Sequence, residues 1–360
     1  MNNDGILTNA QFKAFVLPLL VLGALALFLA MNCSCVPNES CSGHEPLHQS
    51  KSRLSPQDRA RSKKIPVIFD TDIGDDIDDT WALGLLLQSP EFDVKLITTE
   101  VGDTSARAKI VAKFLEVAGR ADIPIGIGLP HADKGKGHGQ DEWVKDYKLS
   151  SYPGTVYQDG VQALIETIMS SPEPITMIAV GPLPNIAAAL QREPRMAEKA
   201  TFVGMHGSVR RGYEGRAEID KEYNVVTFVK DAQKVFTTGW DMTITPLDTC
   251  GIVKLKGAKY KKVLESKNPL ARAIIENYRV WAKSQEPEEA QVDKASTTLY
   301  DTVAVYLAIS TELVNMEKLG IRVTDDGYTI IDDKAKTIDC AMRWKDLSAF
   351  EDFLISRLTR

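Results

Sequence analysis

Six aspartates stand within ten residues, in the run Asp70-Thr71-Asp72-Ile73-Gly74-Asp75-Asp76-Ile77-Asp78-Asp79. Each ionised carboxylate raises the cost of ionising the next. A divalent cation removes that cost and takes the oxygens as hard ligands. The run follows an apolar stretch, Ile65 to Phe69, and precedes a helical one, Thr80 to Gln88. In open parallel sheets the C-terminal ends of strands are where ligands bind. Three other readings compete. An EF-hand loop follows a helix and closes on Glu at its twelfth position, whereas this loop follows a strand. A metal-dependent phosphohydrolase would use the first aspartate, Asp70, as nucleophile, and would give Asp78 and Asp79 no part. A solvated acidic loop sits badly between two apolar elements. The run therefore reads as a divalent-metal site at the end of a buried strand.

The elements that must hold such a site alternate along the chain. Strands are expected at Ile65 to Phe69, Val94 to Thr99, Ile123 to Ile127, Ile175 to Val180, Thr201 to Met205 and Met242 to Thr245. Helices are expected at Thr80 to Gln88, Ala106 to Val117, Val161 to Met169, Ile186 to Leu190, Pro269 to Ala282 and Thr298 to Ile309. The chain then closes with short strands at Gly320 to Val323 and Tyr328 to Ile331 and a helix from Leu347 to Leu358. This alternation predicts an α/β fold, a mostly parallel central sheet flanked by helices, as one large domain over 64–360. His131 to Tyr157 breaks the pattern with Gly, Lys, Asp and aromatics and reads as an active-site lid.

The bulk composition narrows the partners. The chain has 360 residues and a net charge of -6, with no basic footprint for nucleic acid. Lys13 and the unbroken apolar run Ala14 to Met31 precede Cys33, Cys35 and Cys41. Residues 1–35 read as a signal peptide or a membrane or lipid anchor, and 36–63 as a flexible polar linker. An exported, periplasmic or cell-surface protein is expected. Cys250 and Cys340 read as buried thiols rather than a bridge.

Further motifs make the metal reading specific. Asp70-Thr71-Asp72-Ile73-Gly74 with Asp78-Asp79-Thr80-Trp81-Ala82-Leu83 resembles the opening signature of the inosine-uridine-preferring nucleoside hydrolase family. Ile97-Thr98-Thr99 with Gly102-Asp103-Thr104, Val180 to Ala187, Met205 to Ser208, Glu222-Tyr223-Asn224, Pro246-Leu247-Asp248 and Leu299-Tyr300-Asp301 resemble its later motifs, in order. Three residues, Asp75-Asp76-Ile77, stand where the family usually has one between the Gly and the Asp pair, an insertion of two.

The resemblance implies Ca2+-dependent hydrolysis of a ribonucleoside's N-glycosidic bond to free base and ribose, by an N-glycosyl hydrolase with Asp72 activating a water. It implies Ca2+ ligands at Asp72, Asp79, Asp301 and the Val180 carbonyl, with Asp70 in support. It implies ribose contacts from Asp78, Glu222 and Asn224, a small-molecule nucleoside as partner, and a homo-oligomer, dimer or tetramer. Capping is the competing role for Glu222 and Asn224. Asp103 stands where the family often has Asn and is expected to contact substrate. Tyr300 stands where the inosine-uridine enzymes carry His, and a phenol is a poorer proton donor near neutrality. His138 is expected near the base, with His131, Asp141, Tyr147, Trp143 and Tyr152 as other lid candidates. His206, where the family usually has Gly, and Arg210 are placed near the pocket. A non-catalytic nucleoside- or sugar-binding surface protein remains the alternative from another class.

Overall fold

Side chains along Ile65–Thr71 (β1) point alternately to opposite faces, so a strand apolar from Ile65 to Phe69 needs cover on both sides. Val67 and Phe69 pack into one hydrophobic cluster and Ile68 into another. The computed structural model describes residues 63–131, 139–285 and 291–360. The expected anchor lies outside the described residues, as does the linker except for Lys63.

Among the described residues nine further strands join β1: Phe92–Thr99 (β2), Ile125–Ile127 (β3), Val156–Tyr157 (β4), Ile175–Ala179 (β5), Ala200–Met205 (β6), Met242–Thr245 (β7), Val314–Val323 (β8), Thr329–Ile331 (β9) and Thr337–Trp344 (β10). Their order is β4-β3-β2-β1-β5-β6-β7-β10-β8-β9. Neighbours from β4 to β10 are parallel, and β8 and β9 close one edge antiparallel. The order reverses between β1 and β5, which opens a crevice at their C-terminal ends.

Helices cover both faces. Asp78–Leu87 (α1), Thr104–Val117 (α2), Pro269–Ser284 (α7), Tyr300–Leu307 (α8) and Leu347–Leu358 (α9) feed the cluster that contains Phe69. Gly160–Ser170 (α3), Pro184–Arg192 (α4) and Val229–Thr237 (α6) feed the cluster that contains Ile68. Tyr223–Val226 (α5) is a single turn at the crevice. Trp81, Leu83, Leu85 and Leu86 on α1 are all buried, so this helix is core on every side. Among the described residues no helix is long and apolar enough to cross a membrane.

The expected alternation is present, with three differences. The C-terminal part holds one strand more than expected: β10 inserts between β7 and β8, and β8 begins at Val314 rather than Gly320. β10 alternates exposed or half-buried Thr337 and Asp339 with buried Ile338 and Cys340, a weak pattern beside the apolar runs elsewhere. The lid segment is partly regular, with a helical turn at Asp141–Val144 and β4 at its end. Helix α6 and the helix Gly257–Leu264, both Lys-containing, went unread. Cys250 and Cys340 are free and buried, as expected.

Candidate active site at the sheet crevice

The chain leaves β1 at Thr71 and turns directly into the crevice. Asp78, Asp79 and Asp301 bring one carboxylate oxygen each to within 4.8 Å of one another, and all three are buried. Asp78 and Asp79 open α1 and Asp301 lies in the first turn of α8, so both helix N-termini favour the negative charge. The Asp301 N–H donates to Asp78 Oδ2 at 3.1 Å, and Thr71 Oγ1 donates to Asp79 Oδ1. Burial first, then repulsion from neighbouring aspartates, Asp72 and Asp76 among them, pushes Asp78, Asp79 and Asp301 well above the usual carboxylate range.

Asp72 is outside that triplet but interacts with all three of its members. Burial raises its carboxyl to about 7, against the pull of Arg107. Arg107 is fully buried on α2. Its Nη1 donates to the carbonyls of Asp72 and of Ile73, the latter at 2.9 Å, and its Nε to Val101 O at 2.7 Å. The guanidinium thus fixes the backbone of the acidic loop from behind. Asp70 is sealed in the core: its Oδ1 accepts from Thr98 Oγ1 and from Asn185 Nδ2 at 2.9 Å. A carboxylate so enclosed is unsuited to attack a phosphate, which counts against the phosphohydrolase reading.

The turn after β5 forms the opposite wall. Asn224 Nδ2 donates to the Val180 carbonyl and to Met205 O, both at 2.9 Å. Glu222 accepts from the N–H groups of Gly207, Asn224 and Val225 at 2.9, 2.7 and 3.2 Å, capping α5. A Cβ on Gly181 would lie 2.6 Å from Asp72 Oδ1, so only glycine lets the backbone come this close. His206 is also buried here, its Nε2 3.0 Å from Gly181 O. Burial pushes its imidazole down to about 3. A carbonyl only accepts, so Nε2 carries the proton.

The inserted residues tie the acidic loop to its neighbours. Trp281 Nε1 on α7 donates to Asp75 O at 2.9 Å, and the Tyr223 hydroxyl donates to Asp75 Oδ2 at 3.2 Å. Gln140 Nε2 donates to Thr80 Oγ1 at 2.8 Å and to Asn277 Oδ1 at 2.9 Å, fastening the start of the described lid to α1 and α7.

Several expected residues sit elsewhere. Asp103 is exposed and caps α2, accepting from Ala106 N at 2.9 Å. Arg210 is a surface residue paired with Glu317 at 2.8 Å. Trp143 packs against Phe114, Tyr147 bonds Glu116 and Tyr152 bonds Ile123 O, so all three anchor the lid segment. His131 lies on Phe228, ring centroids 4.6 Å apart. His138 lies outside the described residues. Tyr300 is half-buried and meets Tyr213 edge-on at 6.0 Å. Arg107, Glu100 and Asn185 were missed, although Asn185 lies inside the Val180 to Ala187 motif.

A sequence model described as inosine-uridine preferring nucleoside hydrolase matches residues 67–351, from within β1 to beyond β10. The chain belongs to that family. Its members are N-glycosyl hydrolases, and this chain is one of them. Pyrimidine-specific ribonucleoside hydrolase RihA of Citrobacter koseri is 30% identical over 223 residues, 59% of this chain and 69% of that protein. The inosine-uridine preferring nucleoside hydrolase of Leishmania major is 28% identical over 289 residues, 74% and 87% of the two chains. A plant nucleoside hydrolase structure, PpNRh1, superposes with a TM-score of 0.70 at 23% identity, covering 82% of this chain and 99% of its own. A purine-preferring ribonucleoside hydrolase from Gardnerella vaginalis gives 0.66 at 22% identity, covering 82% and 98%. These structures share the nucleoside hydrolase fold.

Proposed function

We propose that this chain hydrolyses the N-glycosidic bond of ribonucleosides, with Ca2+ as its cation and Asp72 as general base. The observation that carries the reading is the convergence of Asp78, Asp79 and Asp301 beside Asp72 in the crevice. The donor set is oxygen only and buried, which fits Ca2+ better than zinc. Asp72, Asp79, Asp301 and the Val180 carbonyl would hold the ion. Bound there, Ca2+ supplies the positive charge that orients and acidifies a water.

Asp72 accepts that water's proton as the sugar carbon loses the base, and the surrounding carboxylates stabilise the oxocarbenium-like charge. Asp78 Oδ1 and Asn224 Oδ1 are left to accept from ribose hydroxyls, since Asp78 Oδ2 and Asn224 Nδ2 are committed to the backbone. Glu222 holds the α5 turn from which Asn224 projects. Tyr300, edge-on to Tyr213 at 6.0 Å, stands next to Asp301 and would meet the departing base. The apolar run Ala14 to Met31 supports an exported, membrane- or lipid-anchored enzyme, checked by cell fractionation.

The test is release of free base and ribose from a panel of nucleosides, followed by chromatography, with and without a chelator. Asp72→Asn should lose about 10²- to 10⁴-fold in turnover while keeping its fold. Full activity in that variant, or undiminished turnover after metal removal, would refute the assignment.

A further inference from the structure

Glu100 follows β2 at the crevice, and its side chain is fully buried. Its N–H donates to Thr71 O at 3.1 Å, which holds it beside the acidic loop. Neither carboxylate oxygen has a hydrogen-bond partner among the described residues. The side chain faces Asp70, Asp72, Asp79 and Arg107. One point above Gly181 lies 2.3 Å from Glu100 Oε1 and 2.6 Å from Asp72 Oδ1, so the two carboxylates border the same space. Arg107 brings positive charge near but no hydrogen bond: its donors go to backbone carbonyls, and its Nη2, 4.0 Å from Asp75 Oδ2, makes none among the described residues.

A buried carboxylate with both oxygens unmade is among the costliest arrangements in a protein. Such groups are paired with a cation or coordinate a metal. We propose that Glu100 is a further cation-binding carboxylate of this site, adding its oxygens to those of Asp72, Asp79 and Asp301. The inference rests on the calcium reading above. It distinguishes Glu100 from a neutral buried acid that merely fills space, for which replacement by glutamine would leave cation affinity unchanged.

The experiment is calorimetric titration of the chelator-treated full-length chain with Ca2+, beside Glu100→Gln and Glu100→Asp. Glu100→Gln should bind Ca2+ about 10- to 100-fold more weakly, as ligand-shell changes do. The loss should persist at about 1 M salt, where screening reduces distant charge effects to within about 3 Å. Calcium-free Glu100→Gln should melt higher than the calcium-free parent, and its calcium-induced rise should be smaller. Glu100→Asp, which keeps the charge on a shorter stem, should fall between the two. Parental affinity in Glu100→Gln, or a loss that vanishes in high salt, overturns the proposal while leaving the calcium reading standing. A parent chain that takes up no Ca2+ overturns both.

Discussion

His206 Nε2 lies 3.0 Å from the carbonyl oxygen of Gly181; Gly181 lies in the turn that follows β5, His206 directly follows β6, and both are buried. Asn224 holds the preceding carbonyl, that of Val180, at 2.9 Å. Two side chains from the far side of β6 therefore set successive peptide groups of one turn. His206→Leu keeps the volume but strands the Gly181 carbonyl. It should cost about 1–3 kcal/mol of stability in urea melts. It should also raise the Ca2+ concentration needed for half-maximal turnover, while the rate at saturating Ca2+ changes little. An unaltered calcium requirement would reduce His206 to a packing residue.

Arg107 grips three loop carbonyls at once. Lysine cannot reproduce that fork. Arg107→Lys should lose about 2–4 kcal/mol in denaturant melts. Turnover should fall by about tenfold or more even where the variant is fully folded, because the Asp72 backbone shifts. Wild-type kinetics in a folded Arg107→Lys would show that the loop holds itself.

Burial, together with Asp76 and Asp78, pushes the Tyr300 hydroxyl well above its usual range, so it keeps its proton. It is a weak acid for a departing base. The kcat/KM ratio between a p-nitrophenyl riboside and inosine should therefore be large. Tyr300→His should narrow it by about tenfold or more by improving inosine. If inosine and the activated riboside react alike in the parent, the acid is elsewhere.

A Cβ at Gly128 would lie 2.3 Å from Asn185 Nδ2 and 2.2 Å from Thr99 O. Gly128→Ala should push Asn185 off Asp70 and destabilise the protein by about 1–3 kcal/mol. Thermal melts with and without Asn185→Ala measure the coupling. Additive losses would mean that the two positions do not meet.

Stability should also depend on pH in a direction set by the site. In calcium-free protein Asp70 is raised to about 6, and Asp72 and Glu222 to about 7. Their unfolded values are 3.8 for the aspartates and 4.5 for the glutamate, so between about pH 4 and 7 the folded state binds more protons. Stability from these groups rises as pH falls through that window. His206, at about 3 against 6.5 unfolded, works the other way, losing stability as pH falls below 6.5. It is one group against these three, and the raised Asp78, Asp79 and Asp301 act in the same direction as the three, so calcium-free protein should melt higher at pH 5 than at pH 8. Calcium, which needs ionised ligands, should reverse the order. Equal melting temperatures at the two pH values in the calcium-free protein would contradict these shifts.

Much of this site was legible before any coordinates. Charge density at Asp70 to Asp79, set between apolar elements, leaves few physical explanations, and β1 is apolar enough to announce its two-sided burial. Arg107 was hidden because, inside an amphipathic helix, an arginine is ordinarily a surface residue; only the fold turns it inward. Glu100 was hidden because one charge after a strand carries no period. His206 was expected at the pocket and lies under it, since a sequence position beside a motif does not say which way a side chain turns. β10 went unread because its pairing with β7 and β8 is long-range, and its alternation holds Cys and Ala where stronger strand formers would stand out.

The hydrogen bond between Asp301 N and Asp78 Oδ2 joins residues 223 positions apart. An ion shared by the carboxylates of Asp301 and Asp79, the neighbour of Asp78, would act as a removable crosslink across that loop. Closing a long loop lowers the entropy of the open chain, and a ligand that binds only the closed form adds its binding energy to folding. Calcium would then be a folding partner as much as a reagent. The last third of the chain would reach its final place under the same ion that the first strand delivers.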